Sequence, residues 1–266
     1  SFLFLLFYYN LNFKKVLFGE IMNRKGKIQT VRNVIDPIDL GMTMTHEHLL
    51  IEFPDTFSVP PEESHRKQVF YEPITLQNRG LIYHHAWKNL DNSSIVDLDI
   101  SVDEVLKYKS VGGGAMVDAT SIGLSRDPEG LLKISNLTDI NIIMGSSYYV
   151  YLAHPPEVSE MSIEDLAAVI INDVNVGVGS LKIKSGIIGE VGLSHPLHKD
   201  EEKVLIASAV AQKETGAPLL IHPGRDEKAP IVAIDILKKS GADLNMTIMG
   251  HLDRTVFERE TLIQIA

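Results

Sequence analysis

The chain has 266 residues, 44% of them hydrophobic, so it can bury one large core or two modest ones, and one α/β barrel of ~250 residues fits within it. Its formal net charge of −10 argues against nucleic acid as a partner, because phosphate backbones are held by basic surfaces. There is no cysteine, so disulfides and thiolate ligands are excluded, any metal must sit on imidazole and carboxylate, and a reducing, cytoplasmic setting is expected.

Residues 1–21 open on Ser1, and their apolar run, 2–9, is too short to span a bilayer. Asn10, Asn12, Lys14 and Lys15 end that run, and the segment lacks the charged start and small-residue cleavage site of a signal peptide. We therefore set 1–21 aside as an extension upstream of Met22 and take 22–266 as one domain. No membrane partner is expected.

From there the pattern alternates. Short β-branched and apolar runs at 42–46, 114–120, 141–145, 186–192, 217–222 and 245–251 predict six strands. Between them lie helical patterns at 102–110, 162–172, 200–215 and 229–240, with Val204, Leu205, Ala207 and Ala211 recurring at helical spacing. Strand and helix in alternation predict a parallel sheet covered on both faces. The interval 49–101 breaks the rhythm with Pro54, Pro60, Pro61 and Pro73, and carries His84, His85 and Trp87. It reads as a functional excursion over a barrel mouth, with a helix within 75–90. Gly112, Gly113 and Gly114 precede a strand and lack the lysine and serine of a phosphate loop, so they form a turn.

The chemistry is carried by strand ends. His46 and His48 flank Glu47, and the period of 2 turns both imidazoles to one face with Glu47 opposite. Glu190, His222 and His251 end the fourth, fifth and sixth strands. Each alone reads as readily as a hydrogen-bonded histidine or a paired glutamate. Five such residues on four strand ends favour a metal site, which neutral imidazole and carboxylate suit. Arg225, three residues past His222, is placed to meet an anionic substrate group, and a surface salt bridge with Asp226 or Glu227 is the competing reading. Tyr148 and Tyr149 follow the third strand, and both are candidates to line the pocket. Tyr148 is taken as substrate-binding, with one of the two packing outward.

THEHLL (45–50), SSYYVYLAHPP (146–156), GIIGEVGLS (186–194), IHPGR (221–225) and MGHLDRT (249–255) together resemble the phosphotriesterase-related branch of the amidohydrolase superfamily. The resemblance runs in order from about residue 27 to 266. It implies a distorted (β/α)8 TIM-type barrel and a site for two divalent ions, usually zinc. By motif, His46 and His48 would hold the first ion, His222 and His251 the second, and Glu190 would bridge them as the catalytic carboxylate, where the better-known phosphotriesterases use a carboxylated lysine. The implied reaction is attack by the bridging hydroxide on a small N-acyl substrate such as N-acetyltaurine. A small-molecule substrate and a second copy of the chain, as a homodimer, are the partners expected.

The family pattern also includes an aspartate at the end of an eighth strand, whereas this sequence stops at Ala266 in the helix after the sixth. The barrel is thus expected to be truncated by two strand–helix units, and the chain as given to be less than fully active. Three rivals remain. A TatD-type deoxyribonuclease conflicts with the long path from His48 to Glu190 and with the acidic charge. A true phosphotriesterase or lactonase would carry the lysine bridge. A metal-free barrel would act by binding alone.

Overall fold

Strand and helix alternate from residue 42 onward in the computed structural model, which describes residues 25–266 apart from the side chain of His65. The strands are β1 (Met42–Glu47), β2 (Gly113–Asp118), β3 (Asn141–Met144), β4 (Ile188–Gly192), β5 (Leu219–His222) and β6 (Thr247–Met249). The helices between them are α1 (Leu98–Ser110), α2 (Pro128–Thr138), α3 (Ile163–Asn175), α4 (Lys199–Thr215) and α5 (Ala229–Lys239), and Leu252–Thr255 and Arg259–Ile265 follow β6. Strands β1–β2–β3 form one parallel ladder and β4–β5–β6 another. Parallel pairing follows from the helical crossovers, which return the chain to the same end of the sheet. Gly186 N donates to Met144 O at 2.9 Å and Gly189 N to Ser146 O at 2.7 Å, so the two ladders run on as one arc in sequence order. Parallel strands joined by helical crossovers agree with the α/β barrel class expected.

Side-chain alternation builds two cores outside the arc and one within it. Met116, Ile142 and Met144 point outward and pack with Val105 of α1 and Leu131 and Ile134 of α2. Ile188, Val191, Leu219 and Ile221 point outward against Leu166 and Ile170 of α3, Val204 and Leu205 of α4, and Leu237 of α5. Each such fully buried aliphatic side chain stabilises the fold by roughly 1.5–3 kcal/mol. Ala115, Ile143, Ile187 and Leu220 fill the inner side. His222 shares the parity of Leu220, so its imidazole also faces inward, at the carboxyl end of its strand. Strands β1 and β6 each pair on one side only among the described residues, and Met42, Met44 and Ile248 there are exposed.

Caps explain where the helices begin. Asp97 accepts from Asp99 N and Ile100 N, so α1 starts four residues before the periodic stretch. Ser162 and Asp165 form a capping box on α3. The stretch that forms α2 has no helix assigned to it above, although Asp127 caps it and Pro128 occupies its first turn. β6 is shorter than the predicted 245–251 because Leu244–Met246 tightens into a 3-10 turn capped by Asp243.

The excursion is a closed flap. Its ends are joined by the antiparallel pair Ile51–Glu52 and Ser94–Ile95. Within it lie helices Ser64–Tyr71 and Arg79–His84, the second inside the window 75–90. Among the described residues no helix is long and apolar enough to cross a membrane. The expectation for residues 1–21 lies outside the described residues.

Candidate metal centre

The His46-Glu47-His48 segment is pinned to its neighbour strand. Ala119 N donates to Glu47 O at 2.8 Å, and Leu49 N donates to Asp118 Oδ2 at 2.7 Å. Asp118 is fully buried, and its other oxygen accepts from Thr120 N at 3.1 Å. That bond aims the Thr120 hydroxyl at His48 Nδ1, 2.9 Å away. Glu190 enters from β4 beside Gly189, whose φ of +130° and tight approach to the Leu220 carbonyl leave no room for a Cβ. His251 takes a left-handed φ of +55° just past β6, a conformation that is costly away from glycine and held here by its surroundings.

Four imidazoles converge on one carboxylate. His46 Nε2 and His222 Nδ1 lie 3.0 and 2.9 Å from Glu190 Oε2, and His251 Nε2 lies 3.4 Å from the same oxygen. His48 Nε2 is 3.3 Å from Oε1. Ligands held at about 2.0–2.1 Å by a tetrahedral ion are roughly 3.3–3.4 Å apart, so two of the four spacings match and two are slightly tighter. His46, Glu190 and His251 offer ligand atoms all within 4.8 Å of one another. His46 Nε2 is buried and has no partner in hydrogen-bond geometry, which leaves its lone pair free for a cation. The set of neutral imidazole and carboxylate donors, with one orphaned nitrogen, fits a divalent ion.

The electrostatics agree with that fit. Burial alone would raise Glu190, but the four imidazoles hold its carboxyl well below the usual carboxylate range. Burial pulls His48 down, yet Glu190 beside it prevails and the net shift is upward. At His222 burial prevails over Glu190 and the shift is downward, which keeps the ring neutral and able to ligate. The Thr120 hydroxyl at Nδ1 of His48 likewise leaves Nε2 for a metal when Nδ1 carries the proton.

The sequence-predicted residues are thus brought together at His46, His48, Glu190, His222 and His251. Tyr148 is not with them. Its ring packs in the outer core with Val158 and Leu166, and burial pushes its hydroxyl up to about 12. The ring at the site is Tyr149, whose hydroxyl lies 3.4 Å from His222 Nε2. The positive φ of Ser147, +78°, breaks strand alternation just before the pair, so the face of each tyrosine cannot be counted from β3. Arg225 is exposed, and neither Asp226 nor Glu227 pairs with it: Asp226 faces His195 at 3.7 Å, and Glu227 accepts from Glu258 N at 3.0 Å.

Three features escape the sequence reading. Phe53, Phe57 and Trp87 of the flap form a ring cluster with centroids 4.9–5.4 Å apart, and Tyr149 joins Phe53 and Phe57 at 6.1 and 6.3 Å. Glu201, fully buried in α4, accepts from Tyr151 N, Ser194 N, Ser194 Oγ and His198 N. It ties the loop after Tyr149 to the loop after Glu190. Thr120 has only its place two residues past Asp118 as a signal.

Residues 26–266 match the model of the phosphotriesterase family. The chain is 43% identical over 243 residues to a phosphotriesterase-related protein of Nematostella vectensis, covering 91% of this chain and 69% of that one. It is 40% identical over 242 residues to a human N-acetyltaurine hydrolase, with the same coverage. The fold superposes on a resiniferatoxin-binding protein of Rhodobacter sphaeroides with a TM-score of 0.86 at 31% identity, covering 90% of this chain and 67% of that one. With its parallel α/β arc and histidine–glutamate cluster, the chain belongs to the phosphotriesterase family, whose members are metal-dependent hydrolases.

Proposed function

We propose that the protein is a two-metal hydrolase that cleaves the amide bond of a small N-acyl substrate with an anionic tail, N-acetyltaurine being the type. The observation that carries this reading is the convergence of four imidazoles on the buried carboxylate of Glu190. In this reading His46 and His48 would hold one ion and His222 and His251 the other, with Glu190 the carboxylate they share. Bound there, two divalent ions, zinc by preference, supply a water of lowered pKa and polarise the scissile carbonyl.

The chain's own residues do the rest. Glu190, kept ionised by its neighbours, offsets part of the cationic charge. Thr120 fixes the ring of His48, and Tyr149 sits against the far nitrogen of His222. Phe53, Phe57 and Trp87 present apolar surface beside Tyr149, which orients the acyl portion and keeps bulk water off it. Arg225, on the loop after His222, stands ready for the anionic tail. A relative named N-acetyltaurine hydrolase at 40% identity supports the amide reading, as does a glutamate where a lysine bridge would suit a phosphotriesterase.

The test uses the full-length protein loaded with zinc. Metal analysis is expected to give about two zinc ions per chain. A panel of N-acetylated amino acids and N-acetyltaurine is expected to turn over faster than organophosphate triesters. Metal content near zero, or faster triester hydrolysis, overturns the reading.

A further inference from the structure

Both strands that end in the second pair of histidines carry an arginine at the same offset. Arg225 lies three residues beyond His222, and Arg254 three beyond His251. β5 and β6 are adjacent and parallel with Ile221 beside Met249, so the two arginines follow neighbouring strand ends on one rim. The imidazoles themselves meet edge to face with centroids 4.5 Å apart. Among the described residues neither guanidinium has a carboxylate partner. The acids next to Arg225 are engaged elsewhere: Asp226 faces His195 and caps Lys228 N, while Glu227 accepts from Phe257 N and Glu258 N. Both side chains are exposed, each on the segment that follows a histidine of the cluster.

One exposed, unpaired arginine is ordinary. Two of them, each three residues past a histidine of the cluster on adjacent strands, make a place for an anion. Guanidinium presents a planar fork that matches the oxygens of a sulfonate or carboxylate, and two forks on one group would add direction to charge. We propose that Arg225 and Arg254 together clamp the anionic end of the substrate and so select anionic over neutral acyl compounds. The proposal rests on the hydrolase reading of the adjacent cluster for the identity of the other, reacting end. Arg254, absent from the sequence-level candidates, is the new member of the site.

The experiment compares N-acetyltaurine with its uncharged sulfonamide, two probes that differ in charge at one end. Binding is measured by calorimetry on the zinc-loaded full-length protein, on R225Q, R254Q and the double variant, and on R254K. The protein is expected to bind the sulfonate at least tenfold tighter than the sulfonamide. Each single glutamine substitution is expected to weaken sulfonate binding about five- to tenfold and to leave the sulfonamide within about twofold. The double variant loses the preference, R254K recovers part of it, and added salt shrinks it because both groups are exposed. Equal affinity for the two probes in the unaltered protein, an intact preference in R254Q, or equal loss for both probes overturns the clamp. Product formation is followed in parallel. An arginine-dependent preference with no product from either probe overturns the hydrolase reading alone, and equal turnover of both probes in every variant overturns the clamp alone.

Discussion

Replacing Glu201 by glutamine tests how the site is held. Its carboxylate is fully buried and takes four donors, three on one oxygen and Tyr151 N on the other at 2.9 Å. A glutamine keeps the shape but turns at least one oxygen into an amide nitrogen. In the best orientation the oxygen stays toward Ser194 and His198, and Tyr151 N is left facing an N–H. A buried unsatisfied donor costs about 1–3 kcal/mol, and the charge lost from the other three bonds adds a similar amount, so roughly 3 kcal/mol is expected. For a chain of this size that lowers Tm by roughly 6–12 °C. The helix N-terminus at α4 also favours the negative charge that glutamine removes. Thermal unfolding by circular dichroism reads the shift, and kcat/KM on an N-acyl substrate should fall with it, because the loops bearing Tyr149 and Glu190 lose their common anchor. A Tm within 2 °C of the unaltered protein would refute the argument that this carboxylate joins the loops.

Thr120→Val removes the partner of His48 Nδ1 and is expected to weaken metal affinity about 10- to 100-fold with little change in Tm, read by competition with a chelator. In the metal-free protein, Glu190 titrates lower when folded than when unfolded. Its stabilising contribution is therefore complete above the unfolded carboxylate value near 4.3 and is lost as pH falls through the folded value. Tm measured from pH 6 down to 3 should drop in the lower part of that range, and Glu190→Gln should flatten the drop. Trp87→Ala deletes an indole that meets Phe53 edge to face at 4.9 Å and Phe57 at a tilt at 5.4 Å, at a cost of about 1–3 kcal/mol, and should raise KM severalfold. Unchanged Tm and KM would remove the flap from the binding site.

The sequence exposes those parts of the fold whose determinants are local. The runs ending in His222 and Glu190 are dense in β-branched and aliphatic residues, and their strands lie within the predicted windows. The ligand set is legible for the same reason: each member lies within two residues of the carboxyl end of its strand, and those ends share one rim of a parallel sheet. Which of Tyr148 and Tyr149 faces the site is not legible, because Ser147 departs from the extended geometry that parity counting assumes. Nor is Glu201, whose partners come from two other loops and whose capping position looks like any acidic residue in a first turn. Arg254 hides for a third reason: its relation to Arg225 exists only once β5 and β6 are adjacent.

The placement of the ligands across the arc has one more consequence. His46 and His48 belong to the ladder of β1–β3, while Glu190, His222 and His251 belong to that of β4–β6. Ions held as proposed would therefore staple the two ladders together. Anything that binds only the folded form stabilises it by RT ln(1 + [L]/Kd), about 2.7 kcal/mol at a hundredfold excess over Kd. Free metal activity would then govern the protein's resistance to proteolysis as well as its turnover, so molecules starved of metal would be cleared along with their lost activity.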